Sequence, residues 1–170
     1  MSLLSEQLAD GRFVVTAEIA PPKGTNLGQA FAEARKLVGV TAVNITDNQT
    51  AVVRMSSLGA CVIALQEGLE PVYQMVCRDR NRIAMQSDAF GANALGIRNL
   101  LCLSGDHQLF GDHPKSKKVF DIDSMQLISM AKKMRDEGTF LNGEELTEAP
   151  KMFIGAAANP FGEPYEYRVH

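Results

Sequence analysis

Cysteine is scarce in this chain of 170 residues: Cys61, Cys77 and Cys102 lie far apart and form no CxxC pair. Such spacing builds neither a disulfide framework nor a zinc site. No apolar run approaches the roughly 20 residues that span a bilayer. The N-terminus, MSLLSEQLADGRF, lacks the basic head and long apolar stretch of a signal peptide. A formal charge of −3 gives no attraction for nucleic acid or an anionic membrane. Glycine-rich phosphate fingerprints are missing too, with neither GxGxxG nor a Walker A sequence present. Together these absences point to a soluble protein of a reducing, cytoplasmic setting, with no nucleic acid and no membrane as partner.

What is there suffices for one domain over residues 1–170, because 45% of the chain is hydrophobic and can bury a core. Short β-rich runs alternate with longer amphipathic segments. FVVTAEIA (13–20) reads as a strand closed by Pro21-Pro22, which cannot continue a ladder. Leu27, Ala30, Phe31, Ala34, Leu37 and Val38 fall at helical spacing, with Thr25 or Asn26 as N-cap. TAVNITD (41–47) reads as the second strand. Val52, Met55, Leu58, Cys61, Val62 and Leu65 predict a helix ended by Gly68. PVYQMVC (71–77) reads as the third strand, and Asp79 is expected to cap a helix carrying Ile83, Phe90 and Ala94. IRNLLCLS (97–104) and KMFIGAAA (151–158) give two more strands, on either side of a helix through Met125, Ile128, Ala131 and Met134. GEPYEYRVH looks like the start of another helix.

Strand, helix, strand with short connections signifies a parallel sheet with crossover helices. The continuous apolarity of LLCL and MFIGAAA suggests strands covered on both faces. Two folds compete, a doubly wound sheet and a (β/α)8 barrel of which only about the first five strands are present. A barrel needs roughly 250 residues, so the chain is expected to be the opening part of something longer.

In both folds chemistry gathers at the carboxyl ends of the strands. Those ends carry Glu18; Asn44, Thr46 and Asp47; Gln74; Ser104, Gly105, Asp106 and His107; and Asn159. One such residue is readily a turn-former or cap, but a polar group at every strand end favours a shared pocket. Alternation puts Val14, Thr16, Glu18 and Ala20 on one side of the first strand. A carboxyl in an apolar strand must be paired, solvated in a cavity or protonated. Burial favours its neutral form, which makes a general acid usable near neutrality. The alternative is a salt bridge to a neighbouring strand. Gly105 lets the backbone approach a ligand or take a turn barred to other residues. Asp106 is then either a mouth-facing carboxylate or an Asx turn. Asp106, His107, Asp112 and His113 match no familiar zinc or iron spacing, so no metal is expected. Lys115, Lys117 and Lys118 read as a solvated loop face or a contact for a polyanionic ligand.

TAEIAPPKGTN, VNITDNQ, GIRNLLCLSGDHQ, VFDIDSMQL and IGAAANPFGEP, in this order over about residues 12–168, resemble the methylenetetrahydrofolate reductase family, particularly its bacterial and archaeal one-carbon branch. The resemblance implies a (β/α)8 barrel and reduction of 5,10-methylenetetrahydrofolate to 5-methyltetrahydrofolate by hydride from a reduced flavin, a step that feeds methionine biosynthesis. It implies a flavin, FAD in preference to FMN, with NAD(P)H or another electron donor. The implied partners are a folate substrate, an electron-donating partner subunit, and further copies or subunits in a homo- or hetero-oligomer. Glu18 matches the family's general acid, and Asp106 its aspartate near flavin and pterin. Thr46 matches a threonine beside the flavin, and Gln74 stands where some members have histidine. Ser104 replaces an arginine found in some members, while Gly105 keeps a backbone contact to the flavin. Phe120 and Asp121 fall where a loop covers the flavin's ribityl-phosphate or adenosine side. Ala158 and Asn159 match the end of strand five, where other members place an aromatic residue. Two rival readings are a non-catalytic half-barrel that binds folate or docks a partner subunit, and an unrelated doubly wound ligand-binding domain.

Overall fold

The computed structural model describes residues 1–26, 28, 31–32, 35–36 and 39–159. Five strands, β1 (Thr16–Ile19), β2 (Ala42–Ile45), β3 (Pro71–Val76), β4 (Asn99–Leu103) and β5 (Phe153–Ala156), pair in parallel in chain order. Around them lie α1 (Leu3–Ala9), α2 (Ser57–Gln66), α3 (Arg82–Ala94) and α4 (Ser124–Lys132), the last extended by a wider turn over Lys133–Glu137. Strand order never reverses, so the described sheet lacks the switch point of a doubly wound fold. It winds in one direction, as the wall of a (β/α)8 barrel does.

Period-two alternation divides the sheet into two unlike faces. One carries Ile19, Val43, Ile45, Tyr73, Met75, Leu100 and Cys102, which form a single core with Ala60, Cys61 and Ala64 of α2, Met85 and Ala89 of α3, and Leu127 and Met130 of α4. The other carries Glu18 beside Asn44, Asn44 beside Val72, Gln74 beside Leu101, and Leu101 beside Gly155. At the amino end of this second face, Leu4 of α1 packs on Ala42 and Val72. Helix α1 is held there by Glu70, whose carboxylate accepts the backbone N–H groups of Leu3 (2.9 Å) and Leu4 (2.8 Å). Acceptors at a helix N-terminus satisfy donors that have no partner within the helix.

The caps explain where the elements start. Ser56 accepts from Gly59 N before α2, and Asp123 and Gln126 form a reciprocal capping box on α4. The cap of α3 is Asn81, accepting from Ile83 and Ala84, and not Asp79 as expected. Asp79 is instead engaged by Arg78. Helix α2 begins at Ser57, although helical spacing extends back to Val52. Asn48, Thr50 and Ala51 take positive φ, and this breaks the chain away from a helical path. Strand one is shorter than FVVTAEIA, with pairing only from Thr16 to Ile19. Coverage of β4 and β5 on both faces is not observed either. Leu101 and Leu103 are half-buried and Phe153 is exposed, because α1 covers only the amino end of the second face, where Leu101 packs on the Leu4, Ala42 and Val72 cluster. Phe31 is buried, but Leu27, Ala30, Ala34, Leu37 and Val38 of the first expected helix, and the segment 162–170, lie outside the described residues. No helix among the described residues is long and apolar enough to cross a membrane.

Candidate functional site

At the carboxyl end of the second face lies a cavity of about 310 Å3, within the ~300–1,000 Å3 range of small-molecule sites. Glu18, Thr46, Gln74, Ser104, Gly105 and Asp106 all line it, together with Arg78 and the stretch Asp47–Gln49. Sequence reasoning had placed the first six at one site, and four different strands deliver them. Glu18 comes from β1 and Gln74 from β3, while Thr46 and Ser104 follow β2 and β4 directly. The parallel register brings all four strands to the same end.

Glu18 is exposed, not enclosed as the apolar strand around it suggested. Its side of the sheet is the open one, so the carboxyl faces the cavity across uncovered space. Thr46 is the opposite case. Its side chain is buried, and its Oγ1 has no hydrogen-bond partner. A buried hydroxyl without a partner carries an uncompensated desolvation cost, which a ligand in the cavity would relieve.

Two loops close the mouth, one after β2 and one after β4. Asp106 Oδ2 accepts the backbone N–H of Thr50 at 3.0 Å. Asp112 accepts Val53 N at 3.1 Å, and Lys23, from beyond β1, reaches Asp112 at 3.7 Å. Gly111 lies so close to the carbonyl of Ala51 that no β-carbon could be accommodated. Gly105 has φ +86°, and a β-carbon there would sit 3.0 Å from that of Val76. Both the backbone and the space therefore require glycine at this position. Asp106 is consequently not an isolated Asx turn but one half of a bridge between loops.

Arg78, which sequence reasoning missed, underlies this arrangement. Its side chain is only 3% exposed, and it donates to Asp79 through Nε (2.8 Å) and Nη2 (2.7 Å). It also donates to the Asp106 carbonyl (3.0 Å) and the Asn48 carbonyl (3.1 Å). Burial alone would raise the Asp79 carboxyl, but the hydrogen bonds and charge of Arg78 outweigh it and hold Asp79 below its usual value. The available signal was the run CRDR directly after a buried strand, where arginines have no apolar role.

The remaining expected residues fall elsewhere. Ser104 lines the cavity, but its hydroxyl donates to Ser124 Oγ (3.0 Å) and accepts from Ser124 N at the start of α4. Phe120 packs on the helical core, with its N–H on the Cys77 carbonyl, and does not line the cavity. Asp121 is bound by Arg82 through Nε (2.7 Å), Nη2 (2.9 Å) and the backbone N–H (2.9 Å), and it does not line the cavity. Ala158 and Asn159 follow β5 as exposed residues outside the cavity lining. His107 caps the short turn Gln108–Phe110 by accepting from Leu109 N. Among the described residues, no three His, Cys, Asp or Glu side chains are grouped to hold a metal ion.

The residues present suit a flat, polar heteroaromatic cofactor such as a flavin. The cavity offers an unpartnered hydroxyl at Thr46, a side-chain amide at Gln74, and a bare backbone at Gly105. A search of curated proteins finds no match. The family described as methylenetetrahydrofolate reductase matches residues 3–168, nearly the whole chain. Its members are folate-related oxidoreductases that generally bind flavin. By this match, this chain belongs to the methylenetetrahydrofolate reductase family.

Proposed function

We propose that the protein reduces 5,10-methylenetetrahydrofolate to 5-methyltetrahydrofolate, with the pterin and a flavin meeting over the second face of the sheet. The observation that carries this reading is the convergence of Glu18, Thr46, Gln74 and Asp106 on one cavity in a chain of this family. A reduced flavin bound there supplies the hydride. The chain's own residues bind, orient and protonate.

Glu18 is the proton donor. Protonation of the folate at N10 breaks the bond from N10 to the bridging methylene, leaving an iminium cation between that carbon and N5. The carbon then accepts hydride and becomes the 5-methyl group, while N10 keeps the proton from Glu18. A ligand laid across the open face excludes water from Glu18, the setting in which a carboxyl works as a general acid. Asp106 supplies negative charge where the cation develops and accepts from N–H groups of the pterin. Thr46 and Gln74 hydrogen-bond the flavin, and Gly105 lets it approach the backbone. Ser104, Phe120, Asp121, Ala158 and Asn159 are proposed to complete the cofactor contacts, Ser104 from the cavity lining and the others by loop movement upon binding, since they lie outside that lining in this structure. The cofactor is FAD, reduced by NAD(P)H or by an electron-donating partner subunit in an oligomer.

The test is the flavin-loaded full chain. Reduction of the bound flavin by dithionite and its reoxidation by methylenetetrahydrofolate separate the two half-reactions spectroscopically. The reading requires flavin absorbance that bleaches and then returns on adding the folate. Persistent bleaching with folate present would end it.

A further inference from the structure

Among the residues that line the cavity, one side chain sits where three loops meet. Arg78 follows β3 and is tied through both ends of its backbone. Its N–H donates to the Ser104 carbonyl (3.1 Å), and its carbonyl accepts from Val119 N (2.9 Å). The guanidinium then reaches two further carbonyls, those of Asn48 after β2 and Asp106 after β4. Asp79 fixes the plane of the fork from the other side by accepting from Nε and Nη2. A planar, bidentate anchor of this kind holds direction as well as distance. Gly105 fits the same design, since a β-carbon there would lie 3.3 Å from that of Arg78.

The target is specific. Arg78 holds the main chain of Asp106, and the side chain of Asp106 accepts Thr50 N. Between the two carbonyls that Arg78 grips lie the chain Asn48–Thr50 and the carboxylate bridge, forming a closed loop of contacts at the cavity mouth. Asn48 and Thr50 within it hold positive φ, a conformation that surrounding contacts must maintain. We infer that Arg78 is the positioning residue of this site: its guanidinium clamps the loops after β2 and β4 and thereby aims the Asp106 carboxylate at the folate. The aim at folate rests on the proposed reductase reading, whereas the clamp does not.

A lysine at this position keeps the charge but cannot span two carbonyls and a carboxylate in one plane. The test therefore compares wild type, Arg78→Lys, Asp106→Ala and the double variant as full-length protein, each checked for folding by its melt. The first measurement is hydrogen exchange at the Thr50 amide without substrate. The clamp predicts at least about tenfold faster exchange in Arg78→Lys, approaching that of Asp106→Ala, and unchanged exchange would overturn it. Asp79→Asn is the second variant should Arg78→Lys fail to fold. It leaves the arginine in place but frees the fork, so it too must accelerate Thr50 exchange, and no change would overturn the clamp. The second measurement is folate-driven flavin reoxidation, analysed as a double-mutant cycle. Positioning through Asp106 predicts that Arg78→Lys slows reoxidation and adds little to Asp106→Ala, while leaving dithionite reduction of the flavin within about twofold. Additive losses would show that Arg78 acts as a structural residue alone and would overturn the positioning role. Faster exchange in a wild-type-folded protein that never reduces folate would instead uphold the clamp and sink the reductase reading.

Discussion

The carboxylate of Asp47, wholly buried at the end of β2, accepts both Nη1 of Arg80 at 2.5 Å and the backbone N–H of Val76 at 3.1 Å. Burial pushes this carboxyl above its ordinary value against the pull of Arg80. The pair joins the ends of β2 and β3 beneath the cavity, and Arg80 extends it to Asp88 of α3 at 2.9 Å.

Asp47→Asn keeps an acceptor for Val76 but leaves the enclosed guanidinium short of one charge partner. Removing one member of a buried pair costs ~3–5 kcal/mol. Because Asp88 still pairs with Arg80, the expected loss is about 2 kcal/mol, read from urea denaturation. A variant as stable as wild type would show that the pair holds nothing together.

Gly105 tests the geometry of the mouth. Gly105→Ala forces a side chain into a positive-φ position against Val76 and Arg78. The expected loss is about 2 kcal/mol of stability, accompanied by weaker flavin binding in a fluorescence titration. An alanine variant that melts with wild type would mean that the turn relaxes freely.

Thr46 separates stability from binding. Thr46→Val removes a buried hydroxyl that has no partner, so the ligand-free protein should be as stable as wild type or more so. If the hydroxyl serves the flavin, its affinity should fall about fivefold, equivalent to one hydrogen bond of ~1 kcal/mol. Unchanged affinity with a lowered melting temperature would contradict this role.

Asp121 gives a pH dependence. The Arg82 side chain, and next its backbone N–H, hold the Asp121 carboxyl down at about 2, against ~3.9 for an unperturbed aspartate. A carboxyl depressed on folding stabilises fully above its unfolded value, and that contribution is lost as pH falls through the folded one. The melting difference between wild type and Asp121→Asn should therefore be constant above about pH 5 and shrink between pH ~4 and ~2. A difference that persists unchanged at pH ~2 would exclude the depressed carboxyl.

The parallel sheet and the cavity's strand-end residues were legible because they rest on local, repeating signals. Alternation placed Glu18 on the same side as Thr16, and parallel strands bring their ends together wherever a polar residue follows an apolar run. Contacts between distant residues were not legible. Helix α1 has only seven residues and depends on Glu70, some 66 positions away, so its own pattern is too short to announce it. The spacing of Val52 and Met55 imitates a helix, but the positive φ values at Thr50 and Ala51 follow from packing against Gly111 and Asp106. The clamp made by Arg78 was not legible either, because the two carbonyls it grips lie about 30 positions away on either side. The exposure of Glu18 reflects what covers the second face, which a single strand's pattern does not contain.

The proposed reductase reading turns on one carboxyl of the cavity, that of Glu18. The most direct measurement is the two half-reactions of flavin-loaded Glu18→Gln. The account predicts flavin reduction at the wild-type rate and folate-driven reoxidation slowed by ~10²–10⁴-fold, the range for loss of a general acid. Reoxidation at the wild-type rate would contradict it.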